Sequence, residues 1–408
     1  MTKTRPLIRI AHLTLFAVAL ALLMAPAAAT QAPSRIVAVG DVHGAFDELA
    51  AILQNVGLID GNRRWTGGTA TLVQTGDVVD RGKKQRECLD LLMDLQRQAP
   101  RDGGTVIPLI GNHEVMNVIG DLRYLTPDVL RTYASEDAEK RRESARKEYL
   151  IFLSAHQGHG HEVVPPADGE AKQKWLEEHP PGFIEHRDAF GPDGHYGKWI
   201  RSNPAIVQVG DGIFVHGGIN PSLKFDSLQQ LDEQVRADLT AFDAMWKDLV
   251  AARAIWRYMT FAEAVRFAAE ELAWQQSEGP IGVFPARTAV LRLLAYRTWI
   301  TVSADGPLWY RGLGTEPEAK LDSSLTAMLE RLKAGYLVAG HSVMASKDVT
   351  TRFGSRVFLI DTGMLADVYA GRPTALEVRD GRFTAHRLDA MPRLLPPPAS
   401  SRNPSSDR

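Results

Sequence analysis

A chain of 408 residues is long enough for two or three domains, or for one large catalytic domain with insertions. With 44% apolar and 24% charged residues it has the composition of a globular protein, and a formal net charge of -2 excludes the basic footprint of a nucleic-acid binder. Any anionic ligand must be gripped locally, and one cysteine, Cys88, excludes both a disulfide framework and a thiolate-rich zinc site.

Lys3, Arg5 and Arg9 precede an apolar run over 13–24 and the small residues Ala27, Ala28 and Ala29, the pattern of a cleavable export signal over residues 1–29. The run is shorter than the roughly 20 residues of a spanning helix. The mature chain is therefore expected to begin near Thr30, to keep no membrane anchor, and to be periplasmic or secreted. Short β-branched runs follow at 36–39, 71–74 and 106–110, each ending at a polar pair. Between them, Phe46, Leu49, Leu53 and Val56, and then Cys88, Leu91, Leu92 and Leu95, recur at helical spacing, which also makes Cys88 a core residue. This alternation predicts βαβ units and a largely parallel sheet.

From Thr126 and Pro127 the pattern is charged and helical to about Leu153. Residues 157–197, rich in Gly, His and Pro, are expected mostly as loop, and His156, His159 and His161 at its start read as solvated rather than as a metal site. Strands return at 205–209 and 213–215, helices fill 228–294, and further strands are expected at 336–339 and 357–360. Residues 396–408, Pro/Ser-rich and without apolar period, are expected as a disordered tail. With no repeat and no linker, the reading is one domain over 35–391 with helical insertions at about 121–200 and 225–300.

Metal-type side chains stand where these strands end, the place at which functional groups converge in α/β sheets. Asp41 and His43 follow the first strand, Asp77 and Asp80 the second, Asn112 and His113 the third, and His216 and His341 two later ones. Carboxylate, amide and imidazole donors without sulfur suit manganese, iron or zinc better than magnesium or calcium. One ion takes three or four protein ligands, so six of these side chains as ligands imply two ions sharing a bridging carboxylate.

The blocks Gly40-Asp41-Val42-His43-Gly44, Gly76-Asp77-Val78-Val79-Asp80-Arg81-Gly82 and Gly111-Asn112-His113-Glu114, with His216-Gly217-Gly218 and Gly340-His341-Ser342 in order, resemble the signatures of calcineurin-like metallophosphoesterases. Asp80-Arg81-Gly82 is similar to the phosphoprotein phosphatase branch, and the stretches 111–122 and 306–312 look most like the Shewanella-like protein phosphatases. The resemblance implies a four-layer αββα sandwich of two mixed sheets with helical insertions. It further implies that Asp41 and His43 bind one metal, that Asp77 bridges, and that Asn112, His216 and His341 bind the second. A hydroxide bridging the two ions would attack phosphorus, His113 would protonate the leaving oxygen with Asp80 supporting it, and Arg81, Asn112 and Arg311, with Arg201 in reserve, would bind phosphate. The implied substrate is a phosphorylated protein, on serine/threonine or on tyrosine, or a small phosphomonoester. Two alternatives are a dinucleoside polyphosphate hydrolase and a metal-stabilised periplasmic binding protein, the second opposed by the presence of Arg81, Asp80 and His113. The stretch Ile360-Asp361-Thr362-Gly363-Met364 departs from the eukaryotic Ser/Thr phosphatases, as does the long interval between His113 and His216.

Overall fold

Three short runs rich in β-branched and other apolar residues form one half of the first sheet. β1 (Arg35–Val39), β2 (Thr71–Gln74) and β3 (Thr105–Pro108) pair in parallel, with Ile36 opposite Thr71 and Leu72 opposite Val106. The helices Phe46–Asn55 and Gln85–Gln98 connect them, as parallel pairing requires. The computed structural model describes residues 35–157, 159, 169–277 and 286–399, all within the unit Pro33–Arg408. The expected export signal lies outside the described residues.

The second sheet comprises β4 (Ile206–Val209), β5 (Gly212–Val215), β6 (Tyr336–Ala339), β7 (Thr350–Arg352) and β8 (Val357–Leu359), in the order β4-β5-β6-β8-β7. Its three middle strands are parallel and its two edges antiparallel. β9 (Thr374–Arg379), β10 (Arg382–Arg387) and β11 (Arg393–Leu395) then return to the first sheet and extend it antiparallel from β1. Both sheets are thus mixed, as the resemblance implies.

Alternation along the strands divides the core. Ile36, Ala38, Val73, Phe214, Val338 and Phe358 share one cluster between the sheets, while Val37, Val39, Leu72, Ile213, Leu337 and Val357 face the larger cluster that includes the helices. Strands buried on both faces read as continuous apolar runs, which is why they were visible without a period. Two sheets face to face with helices outside give the four layers.

The stretch expected as loop at 157–197 contains the helices Gly169–Glu178 and Phe183–Phe190, and a third, His195–Ser202, begins inside it. Trp175, Phe183, Ile184 and Phe190 are buried there. Tertiary burial stabilises helices too short to persist alone. Gly182 and Gly194 stand at helix N-caps, so residues that suggested loop are boundaries. The sheet also continues past position 391 through β11, and the Ala399 N–H donates to Gly354 at 2.8 Å, so the described start of the expected disordered tail is held in place. Positions 400–408 lie outside the described residues. Among the described residues no helix is long and apolar enough to cross a membrane.

The turns after β1 and β2 lock together: Gly44 N–H donates to Val78 and Gly82 N–H to His43, at 2.9 and 3.0 Å. Gly44 has φ +71, and a Cβ on it would press on the Gly82 backbone. Gly44→Ala is therefore expected to lower unfolding free energy by about 2 to 4 kcal/mol; urea denaturation followed by circular dichroism would measure it, and an unchanged midpoint would contradict the interlock.

Candidate active site

Six parallel strands, three in each sheet, deliver their C-terminal loops to one place. Five non-glycine residues in these loops, His43, Asp77, Asp80, Arg81 and His341, have positive φ between 49 and 70°. L-residues reach this region only at a cost of about 1 to 3 kcal/mol each, so surrounding contacts must enforce it. Glu114 supplies part of that enforcement. Its buried carboxylate accepts the N–H groups of Asp77, Val78 and Gly111 at 2.7, 2.8 and 2.8 Å, tying the loop after β2 to the start of the helix Asn112–Ile119.

Asp77 lies at the centre. Its Oδ1 accepts the His113 N–H at 2.9 Å, while its Oδ2 lies 3.8 Å from His43 Nε2, 3.8 Å from His113 Nε2 and 3.3 Å from His216 Nε2. Two sets of candidate donors, His43-Asp77-His113 and Asp77-His216-His341, have ligand atoms within 4.8 Å of one another and share this one carboxylate. Asp41 joins through its Oδ1, which accepts the His341 N–H at 2.9 Å, and its Oδ2 lies 4.0 Å from His43 Nε2. Asn112 joins through its Oδ1, 2.7 Å from His216 Nε2.

The tautomers test whether a cation fits here. His43 Nδ1 donates to the Val79 carbonyl at 2.9 Å and His216 Nδ1 to the Thr75 carbonyl at 2.8 Å, so both Nε2 atoms turn lone pairs inward. There they meet carboxylate oxygens, the Asn112 amide oxygen and His341 Nδ1, the last 3.1 Å from His216 Nε2. His341 Nε2 is buried with no hydrogen-bond partner. Acceptors converging on acceptors in a buried space are unfavourable unless positive charge lies between them. Burial, followed by the neighbouring carboxylates Asp361 and Asp77, pushes Asp41 well above its ordinary range, and burial lowers His43 to about 3 and His341 to about 2. These are the neutral imidazoles and crowded carboxylates that a metal-ion pair would stabilise.

Beside this cluster stands a second arrangement. His113 Nδ1 is 2.5 Å from Asp80 Oδ2, and Asn117 Nδ2 donates to Asp80 Oδ1 at 2.9 Å. Asn117 Oδ1 in turn accepts from His186 Nε2 at 3.0 Å, on the helix Phe183–Phe190 of the first insertion. Burial alone would lower the His113 pKa, but Asp77 and Asp80 hold it above the ordinary imidazole value. The Arg81 guanidinium lies between Tyr124 and Tyr369, 4.4 and 5.3 Å from their ring centroids, and its Nε is buried without an acceptor.

Sequence-predicted residues outside this cluster divide. Arg311 donates to the His341 carbonyl at 2.6 Å, which puts it at the rim of the cleft. Arg201 is spent elsewhere, on Asp243 at 2.7 and 2.8 Å and on the Phe190 and Gly197 carbonyls. His159 stacks on Trp274 with centroids 3.5 Å apart and lies 3.0 Å from Glu271, and His156 donates to Phe152; His161 is outside the described residues. Cys88 is fully buried and its thiol is pushed well up by burial, as for a core residue.

Asp361, Glu114, Asn117, Tyr124 and Tyr369 also belong to this site, though none stands in a predicted ligand or catalytic position. Asp361 follows β8 as Asp41 follows β1, a signal that was available, and burial holds its carboxyl up at about 6 beside Asp41. Glu114 was marked by its place three residues after the N-cap Gly111. Asn117 lies one helical turn from His113, a weaker sign, and the two tyrosines had none.

Glu114→Gln keeps one acceptor oxygen but turns an amide N–H toward backbone donors. The expected cost is about 2 to 4 kcal/mol of unfolding free energy, read by thermal and urea denaturation, because a buried charge-assisted set is broken. A loss below about 0.5 kcal/mol would show that the loops do not depend on this tie.

The model of the calcineurin-like phosphoesterase family matches residues 34–344. Shewanella-like protein phosphatase 2 of Arabidopsis thaliana is 33% identical over 211 residues, which are 52% of this chain and 53% of that protein, so the match spans about half the relative's length. Shewanella-like protein phosphatase 1 of Plasmodium berghei (strain Anka) is 25% identical over 359 residues, covering 87% of this chain and 74% of the relative. Among solved structures, a cold-active protein tyrosine phosphatase superposes with a TM-score of 0.56 at 22% identity, covering 89% of this chain and 78% of the other, a likeness of fold.

Proposed function

Because the chain belongs to the calcineurin-like phosphoesterase family, we propose that this cleft holds two metal ions and hydrolyses phosphomonoesters, aryl phosphates such as phosphotyrosyl side chains foremost. The observation that carries the reading is the single carboxylate of Asp77 shared by two sets of inward-facing donors. Asp41, His43 and Asp77 would hold one ion, and Asp77, Asn112, His216 and His341 the other. The donor chemistry suits manganese, iron or zinc. Such a pair supplies Lewis acidity toward phosphoryl oxygens and a nucleophile available near neutral pH.

The chain's own residues do the rest. Arg81, stacked between two phenol rings and lacking a carboxylate partner among the described residues, offers its planar donors to phosphate oxygens. Arg311, anchored on the His341 carbonyl, is proposed as the second clamp, and the Asn112 amide as a further contact. His113 donates its Nε2 proton to the leaving oxygen as the P–O bond breaks, and Asp80 holds the imidazole's other N–H and stabilises its protonated form. Asn117 keeps that carboxylate in place.

Tyr124 and Tyr369 support an aryl leaving group. Their rings flank Arg81 and lie 4.9 Å from His113 and 5.6 Å from His43. A phenol leaving group would find aromatic surface on both sides, whereas a serine side chain would not. The name of the Arabidopsis thaliana relative, a protein phosphatase, supports phosphoprotein as the substrate class. The proposal extends to export: Lys3, Arg5 and Arg9 before the apolar run support processing near Thr30 and a site of action outside the cytoplasm.

Three results are expected. Asp77→Asn loses bound metal by elemental analysis together with hydrolysis of an aryl phosphate, while the circular dichroism spectrum stays; near-normal metal content and turnover would end the bridging role. His113→Asn retains metal but slows turnover on a poor leaving group by roughly 10² to 10⁴, and equal rates on such a substrate would remove it as the acid. Phosphotyrosyl peptides are cleaved with kcat/KM at least about tenfold above matched phosphoseryl peptides and above diadenosine tetraphosphate. Preference for the dinucleotide would favour the phosphoanhydride alternative instead.

A further inference from the structure

A second cleft, of about 690 Å³, opens between the helix Asn112–Ile119, the helix Phe183–Phe190 and the long helix Leu228–Ala251. This volume is typical of small-molecule sites. Its walls include Val118, Phe242, Trp246 and Tyr258, and none of the candidate metal ligands lines it.

The charges around it do not cancel. Asp188 is taken by Arg141 at 2.5 Å and by the Tyr258 hydroxyl at 3.4 Å, Asp243 is held by both nitrogens of a bidentate Arg201, and Arg257 pairs with Glu148 at 2.9 Å. Arg187 has no hydrogen-bond or ion-pair partner among the described residues, and its Nε is fully buried without an acceptor. The carboxylates of Glu263 and Asp188 act on it only at a distance, and burial lowers its pKa to about 10. The Trp246 ring lies 5.8 Å from its guanidinium carbon. The exposed Lys247 on the rim adds a second positive group and Asp193 one negative group.

The Arg187 side chain is half-buried in the cleft wall, and its Nε, withdrawn from water with no acceptor, is a buried donor that is costly to leave unpaired unless something binds it. Its position against Gly120, where any side chain would meet the guanidinium, gives it the partial negative charge of a helix C-terminus, which offsets only a fraction. The remaining donors point to a ligand with oxygen acceptors for Arg187 and an apolar body for the aromatic walls.

We propose that this cleft binds a small organic oxyanion, a carboxylate or phosphate carried on an aromatic or aliphatic body, with Arg187 as the anchor and Trp246 and Phe242 as the wall that receives the body. The site is separate from the cleft of Asp77, and the inference does not rest on the function proposed for that cleft.

Calorimetric titration of the purified full chain, with its metals, tests it. Phenylphosphonate and benzoate serve as probes, and the tighter of the two identifies phosphate or carboxylate as the natural group. Arg187→Met, which keeps the apolar stem, is expected to weaken the tighter probe at this site by at least about tenfold, as for loss of a charge-assisted hydrogen-bonding group. Trp246→Ala is expected to weaken it by at least about threefold with Arg187 intact, while Arg81→Met leaves the site's isotherm as in the parent chain. Isotherms unchanged in both Arg187→Met and Trp246→Ala would overturn the proposal, as would binding abolished by Arg81→Met alone, since that would assign the probe to the Asp77 cleft. Should Arg187→Met fail to fold by circular dichroism, the Trp246→Ala titration decides by the same criterion.

Discussion

Everything at the centre of this molecule follows from one electrostatic constraint: the carboxylate of Asp77 is buried among imidazoles whose free nitrogens all face it. His43 and His216 have committed their Nδ1 protons to the Val79 and Thr75 carbonyls. Their other nitrogens therefore present lone pairs, and lone pairs that converge on carboxylate and amide oxygens require positive charge between them. The strained backbone at Asp77, Asp80 and Arg81 is the cost of aiming three side chains from a single loop, and the Glu114 carboxylate offsets part of it by gathering that loop's N–H groups.

The architecture makes this arrangement economical. Parallel strands end at the same level, so three loops from each sheet meet along one edge, and packing the sheets face to face brings the two triplets together. The helical insertions are not passive decoration. The first sends His186 to Asn117 and so to Asp80, coupling the packing of residues far from the cleft to the orientation of His113. The same helix carries Arg187 into the second cleft, one residue away, so the two sites share a rigid element.

The strands of both sheets from β1 to β8, apart from the short edge strand β7, were legible, β1, β2, β5, β6 and β8 because burial on both faces leaves nearly continuous apolar runs, and the partly exposed β3 and β4 because they are rich in β-branched residues. The helices at 169–202 were not, since their stability comes from Trp175, Phe183 and Phe190 entering a core contributed by distant segments. The antiparallel extension by β9 to β11 was likewise missed: Arg379, Arg382 and Arg387 interrupt the apolar pattern that a half-exposed sheet edge does not need.

What the sequence determined by itself was the inventory of the site. Asp41, His43, Asp77, Asp80, Asn112, His113, His216 and His341 each stand at a strand end, and strand ends are fixed by local pattern and glycine. What only the tertiary structure decided was who meets whom: that Asp361 leans on Asp41, that two tyrosines enclose Arg81, that Arg201 is consumed by Asp243, and that Arg187 is left without a partner. Chemical identity and local turn geometry are properties of a few neighbouring residues. Pairing between side chains hundreds of positions apart depends on how whole layers pack, and no local pattern encodes that.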